Sequence, residues 1–240
     1  MEPAGKVALV TGGARRVGRA FSLALAEAGC DLVVNYNGSA EESHETAAEI
    51  ERLGRSAITV QADISRADDI ARLVREAEQA FGRLDILVNS ASLFERTPVA
   101  DITEQEWDRV MGVNLRGPFF LSQAAAPLLR ADGGGVIVNI VDLSAIQPWP
   151  SFAHHAVSKA GLLHLTRVLA RALAPDIRVN SIAPGTVLPP EHTEGEAGTA
   201  RRVISREGNT DDVTRALLYL VRSDFVTGEN LLVDGGRMLL

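Results

Sequence analysis

The chain has little lysine, tyrosine or cysteine, and each shortage excludes something. Its single cysteine, Cys30, has no internal disulfide partner. There is no run of about 18 apolar residues that would cross a membrane as a helix, and residues 1–6 lack the apolar stretch of a signal peptide. Together these points lead us to expect a cytoplasmic protein. The net charge is -7, with acids and bases mixed along the chain. No basic stripe or basic amphipathic helix emerges, so neither nucleic acid nor a membrane surface is expected as a partner, and a small molecule is. Lysine occurs only at Lys6 and Lys159, against 22 arginines. Where a bare positive charge suffices this chain uses arginine, so Lys159 marks a place that wants a compact ammonium of adjustable pKa. The two tyrosines are Tyr36 and Tyr219, and chemistry elsewhere in the chain has to proceed without a phenol.

What is present is an alternation. Apolar, β-rich runs at 6–11, 32–36, 57–61, 86–88, 136–141, 178–182 and 230–233 are separated by helical patterns at 17–28, 40–53, 67–81, 104–130, 151–174 and 211–222. Several of these helices have Ser or Asp at the expected cap position. Continuously apolar strands joined by helical crossovers predict an α/β protein: a single-domain, Rossmann-type, doubly wound parallel seven-stranded sheet with helices on both faces. There is no internal repeat and no low-complexity linker. The stretch 186–208, rich in Pro, Gly, Glu and Thr, is longer than an ordinary connection and follows a strand end. It is expected to be a substrate lid, the alternative being a plain surface insertion. His192, Glu191, Glu194 and Glu196 lie in it without a metal-ligand spacing, and no metal is expected.

The first chemical motif is Thr11-Gly12-Gly13-Ala14-Arg15-Arg16-Val17-Gly18-Arg19, between the first strand and the first helix. Glycine there lets a backbone approach a pyrophosphate, and the helix N-terminus offers unpaired N–H groups to it. An acid about 20 residues on, at the end of the second strand, would select a dinucleotide without a 2′-phosphate. This chain has Asn35-Tyr36-Asn37-Gly38-Ser39 instead, with Arg15 and Arg16 able to clamp a dianion. NADP(H) is therefore the expected cofactor.

The turn at 11–18, with Asp63, Asn89, Asn114, Lys159, Asn180, Pro184-Gly185 and Val233-Asp234-Gly235-Gly236 in that order, resembles the short-chain dehydrogenases/reductases over nearly the whole chain. Within them it is most similar to the pteridine reductases. Arg16 stands at the usual second glycine, Asn89-Ser90-Ala91-Ser92-Leu93-Phe94 replaces Asn-Asn-Ala-Gly, and Asp142 takes the place of the catalytic serine. The resemblance implies cofactor contacts from Gly12, Arg15, Arg16, Val17 and Gly18, from Tyr36, Asn37 and Ser39, from Asp63 and Ile64, from Asn89, Ser90 and Ala91, and from Lys159, Pro184 and Gly185. Asp63 is expected at the adenine, although it is also a plausible N-cap. Asn89 is expected at adenosine or ribose, and Asn114 is expected to orient a water or hold its helix open for a proton relay. Phe94 would stack a flat substrate such as a pterin. A homotetramer built partly on 104–130 and 151–174 is implied as well.

His155 stands where a Tyr-x-x-x-Lys signature places its phenol, four residues before Lys159 and on the same helix face. An unperturbed imidazole, with a pKa of about 6.5, is mostly neutral at pH 7 and can still donate one hydrogen bond. Asp142, 13 residues earlier, is a second source of a proton, through water. The catalytic set expected from this reading is His155, Lys159, Asp142 and Asn114, with Phe94, Asp142 and His155 facing substrate. The reaction would be NADPH-dependent reduction of a small conjugated C=N or C=O compound. A 3-oxoacyl thioester reductase is the alternative among enzymes, and an NADP(H)-binding regulatory or scaffold protein the alternative outside them.

Overall fold

Seven parallel strands lie in the order β3-β2-β1-β4-β5-β6-β7. They are β1 (Val7–Val10), β2 (Asp31–Tyr36), β3 (Ala57–Gln61), β4 (Ile86–Asn89), β5 (Gly135–Ile140), β6 (Ile177–Pro184) and β7 (Asn230–Val233). The computed structural model describes residues 1–131, 133–188 and 202–240. Most of the expected lid, and the histidine with its glutamates at 191–196, fall outside the described residues.

The alternation of side chains along each strand divides the core in two. Ala8, Val10, Val34 and Val88 face one way, with Phe21 and Leu25 of α1 (Arg16–Glu27) and Leu217 of α7 (Thr210–Arg222). Leu9, Val33, Leu87 and Ile137 face the other, with Leu73 of α3 (Ala67–Phe81) and Leu121 of α5 (Gly117–Ala131). Strands buried on both faces read as unbroken apolar runs, which is why they were visible in the sequence. The remaining helices are α2 (Ala40–Arg52), α4 (Glu104–Met111) and α6 (Ala153–Ala172). Because β1 pairs with both β2 and β4, the chain changes direction there, and a crevice opens beyond the carboxyl ends of the two strands.

Two expectations change. The helix expected over 104–130 is two helices, α4 and α5, joined by a π-helical turn at Gly112–Arg116. At Gly117 a Cβ would lie 2.6 Å from the Ile64 carbonyl oxygen, so α5 starts in close contact with the loop after β3. A widened turn of this kind inside a helix is frequent at functional sites, and this one carries Asn114. The second change concerns caps. Side-chain caps close α4, through Thr103, and α7, through Asn209, whereas Ser39 and Arg66 precede their helices without one. The Lys6 ammonium lies 3.2 Å from Asp85, a fully buried carboxylate that also binds Arg83 at 2.7 Å and the Val7 N–H at 2.9 Å. That triad closes the bottom of the sheet, opposite the crevice, which leaves Lys159 as the lysine available for chemistry.

Candidate active site

The glycine turn is held rigidly in a shape only glycine tolerates. Gly12 has φ +60°, and a Cβ there would sit 3.0 Å from Ala91 Cα. At Gly18 a Cβ would fall 2.1 Å from the Gly12 carbonyl oxygen, so the first turn of α1 packs directly on the loop. Arg16 adopts φ +51°, a conformation that costs a non-glycine residue free energy and that tends to persist at functional positions. Two braces escaped the sequence reading. Thr11 Oγ1 accepts from the Ser90 and Ala91 N–H groups at 2.9 and 3.0 Å. The Asn35 amide donates to the Val60 and Ala62 carbonyls at 3.2 and 3.1 Å, while its Oδ1 accepts from the Gly12 N–H at 3.4 Å. A buried asparagine inside an apolar strand was the signal for the second.

On the far side of the turn, Tyr36 ends β2 and Ser39 precedes α2. Arg15 Nε lies 3.8 Å from Glu42 with both side chains half exposed, and the Asn37 carbonyl accepts from Gln61. Asp63 is not an N-cap: its Oδ1 accepts from the Ser65 N–H and Oγ at 2.9 and 2.7 Å, forming a turn. The side chain of Asn89 is turned into the sheet. Its amide donates to Asn139 Oδ1 at 2.8 Å and Ser122 Oγ at 3.3 Å, and the residue is 2% exposed. The side chain ties β4 to β5 and α5.

Above β4, β5 and β6 a cavity of about 250 Å³ gathers Arg16, Ser90, Phe94, Asp142, His155, Lys159 and Gly185. Lys159 is buried and donates from Nζ to the Ile140 carbonyl at 2.8 Å. Burial lowers the pKa of its ammonium, and the charge of Asp142 works in the opposite sense. Asp142 caps the short turn at Leu143–Ala145, accepting from the Ser144 N–H at 2.8 Å and from the Ser144 hydroxyl. Burial of this carboxyl alone would raise its pKa. The hydrogen bond from His155, the charge of Lys159 and the Ser144 bond outweigh that and hold it at about 2.

His155 faces oxygen acceptors at both ring nitrogens. Nδ1 is 2.9 Å from the Leu93 carbonyl oxygen, and Nε2 is 2.6 Å from Asp142 Oδ2. A carbonyl oxygen can only accept, and a carboxylate held at about 2 does the same at neutral pH. This geometry suits a ring with a proton on each nitrogen, an imidazolium against a carboxylate, while the Asn114 amide nitrogen lies 3.3 Å from Nδ1 as a further neighbour. The sequence alone led to a neutral ring; the Asp142 carboxylate at Nε2 is the contact that favours the charged one. The imidazole is nearly sealed, with its side chain 2% exposed, whereas the Asp142 side chain is 21% exposed. Both side chains line the cavity, and Asp142 is the more exposed of the two.

Asn114 fixes the loop over this pair. Its Oδ1 accepts from the Leu93 N–H at 2.8 Å, and its Nδ2 donates to the Leu93 carbonyl at 3.0 Å and to Ser158 Oγ at 3.1 Å. Leu93 carries Phe94 with it. The Phe94 ring stacks on Phe152 at 4.5 Å, stands edge-on to His155 at 4.8 Å and to Trp149 at 6.4 Å, and is 53% exposed. Phe152 stacks on one face of Phe94, and about half of the residue remains exposed.

The family model for enoyl-(acyl carrier protein) reductases matches residues 12–237. The chain belongs to the short-chain dehydrogenases/reductases. The candidate ketoacyl reductase 2 of the granaticin polyketide synthase from Streptomyces violaceoruber is 38% identical over 248 residues, covering 99% of this chain and 98% of that one. A short-chain dehydrogenase from Burkholderia cenocepacia, crystallised with NADP, is 36% identical with a TM-score of 0.92, over 99% of this chain and 100% of that one. FolM alternative dihydrofolate reductase 1 from Brucella canis, complexed with NADP, is 36% identical with a TM-score of 0.93, over 100% of this chain and 96% of that one. The seven-stranded Rossmann-type fold read from the sequence is the fold of these proteins. No helix among the described residues is long and apolar enough to cross a membrane.

Proposed function

We propose that this short-chain oxidoreductase uses NADPH to reduce a small, flat, conjugated C=N or C=O substrate, pterin-like by preference, with the His155–Asp142 pair as its acid. The observation that carries this reading is the doubly hydrogen-bonded His155 against Asp142, under an aromatic wall and beside Lys159. Bound NADPH supplies a hydride. The glycine turn is a cradle that a Cβ would fill, so it fits the pyrophosphate, with Gly12, Val17 and Gly18 giving backbone approach. Arg15, Arg16 and Ser39 would hold the 2′-phosphate, and Tyr36, Asn37, Asp63 and Ile64 would flank the adenosine. Ser90, Ala91, Pro184 and Gly185 would line the nicotinamide end, where Lys159 would bind the ribose.

As negative charge develops on the substrate nitrogen or oxygen, Nε2 of His155 gives its proton to Asp142, and the carboxyl group hands one to the substrate, directly or through water. The pair ends one proton poorer, as imidazole and carboxylate. Asn114 acts as a positioning residue, keeping the Leu93 carbonyl on Nδ1. Granaticin-type ketoacyl reductases among the relatives favour a second reading, reduction of a 3-oxoacyl thioester. Initial rates of NADPH oxidation with a dihydropterin and with an acetoacetyl thioester separate the two. Assembly as a homotetramer belongs to the same reading, supported by the exposed Phe120, Val157 and Val168 on α5 and α6, and sedimentation velocity tests it.

Cofactor choice is the first expected result. NADPH binds about tenfold or more tightly than NADH, roughly 1.4 kcal/mol, and Arg16→Ala removes most of that preference while Arg96→Ala leaves it; calorimetry measures both. The exposure of Phe94 gives the second. Phe94→Ala weakens pterin binding to the NADP⁺ complex roughly two- to tenfold, the worth of an offset aromatic pair, and leaves NADPH affinity unchanged. An unchanged pterin affinity would remove Phe94 from the substrate site.

A further inference from the structure

A second cavity, of about 350 Å³, adjoins the first through Val187, which lines both. Its wall holds Arg202, Arg206 and Arg237, and their ionic situations differ. Arg206 binds Asp212 through two nitrogens at 2.7 and 2.6 Å, and Arg202 lies 3.5 Å from Glu207. Arg237 has no carboxylate in ion-pair reach among the described residues. Its Nη1 donates to Thr186 Oγ1 at 3.4 Å, and its guanidinium lies 5.9 Å from the centre of the Trp149 ring. The nearby Asp234 does not neutralise it, because that carboxylate accepts from the Gly236 and Met238 N–H groups at 2.8 Å each and so shapes the turn that presents Arg237. Trp149 in turn stands edge-on to Phe94 and Phe152. A half-buried cation therefore rests at the outer end of the same aromatic wall whose inner end is His155.

We propose that this cavity is an anion subsite, in which Arg237, with Thr186 beside it, takes a carboxylate or phosphate carried by the substrate some distance from the reducible bond. The proposal rests on the reductase reading above and narrows it. A guanidinium half withdrawn from water has lost hydration that surface arginines keep, and an oxyanion restores it through paired, charge-assisted hydrogen bonds. The aromatic wall seats the flat reducible group and Arg237 selects its tail. Neutral compounds of the same ring system lack that anchor, and they bind more weakly.

Calorimetry on the NADP⁺-loaded protein tests this without needing turnover. Two pairs of probes share a reducible group and differ in charge: dihydrofolate against dihydrobiopterin for a carboxylate, and acetoacetyl-coenzyme A against acetoacetyl-N-acetylcysteamine for a phosphate. We expect the anionic member of one pair to bind about tenfold more tightly to the wild type. Arg237→Ala should abolish that ratio by weakening the anionic member alone, Arg237→Lys should keep much of it, and both variants should bind NADP⁺ as the wild type does. A charge preference in the thioester pair alone would sink the pterin reading and keep the subsite. If neither pair shows a preference, or if the ratio survives in Arg237→Ala, the subsite is wrong whichever substrate is reduced.

Discussion

His155→Phe lowers NADPH-dependent reduction by about 10²–10⁴-fold, the usual cost of losing a general acid, and leaves NADPH affinity within about twofold. The substitution keeps a flat ring against Phe94 but removes both nitrogens, so the Leu93 carbonyl and Asp142 lose their donor together. Stopped-flow single turnovers separate loss of chemistry from loss of binding. Phenylalanine also leaves the Asp142 carboxylate without its closest partner, and a lower melting temperature is expected alongside the lower rate. His155→Tyr is the informative companion. A phenol reaching Asp142 restores a donor at the position most of the family fills with tyrosine, so this variant keeps far more activity than the Phe variant. Its loss of rate at high pH shifts toward the phenol range of about 10. Equal activity in wild type and His155→Phe would assign the proton to water and reduce His155 to a wall of the cavity.

Asp142→Asn has an effect of similar size, on the order of 10²-fold or more in rate, through a different failure. The amide cannot carry the proton forward, and it cannot balance a positive charge on the ring beside it. The carboxylate in the wild type is held at about 2, below its unfolded value of about 3.9. A depressed carboxylate stabilises the folded state above its unfolded value, and that contribution is lost as pH falls through the folded value. Across pH 4–8 the charged form of Asp142 is thus fully in place, and the wild-type rate falls on the alkaline side, where the pair loses its shared proton. The variant should lose that rate at lower pH than the wild type. An unshifted alkaline limb in Asp142→Asn would mean that the two side chains do not titrate as a unit.

The sheet was legible in the sequence because each strand is buried on both faces and so reads as an unbroken apolar run between helical patterns. The glycine turn was equally clear, since Gly12 and Gly18 occupy places where a Cβ would collide with backbone. What stayed hidden depends on contacts between segments remote in sequence. Nothing near Asn89 shows that its amide is spent on Asn139, 50 residues on. The π turn that aims Asn114 at Leu93 looks in sequence like continuous helix. For His155 the sequence shows the neighbouring Lys159 on its own helix, but not the Leu93 carbonyl brought from 62 residues away. The acceptors that face both ring nitrogens come from elements remote in sequence and leave no local signal. Arg237 left no periodic signal because it opens a single short turn, Arg237–Leu239, and Trp149 lies in an irregular segment.

The protonation state of His155 tests the central claim most directly, and it requires no substrate. Nitrogen-15 NMR of histidine-labelled protein, with the His155 resonances assigned by their absence in His155→Phe, reads both ring nitrogens separately. At pH 7 the account predicts a proton on each, with the imidazolium signature retained in the NADP⁺ complex and lost in Asp142→Asn. A neutral ring with one bare nitrogen in the wild type at pH 7 would contradict it.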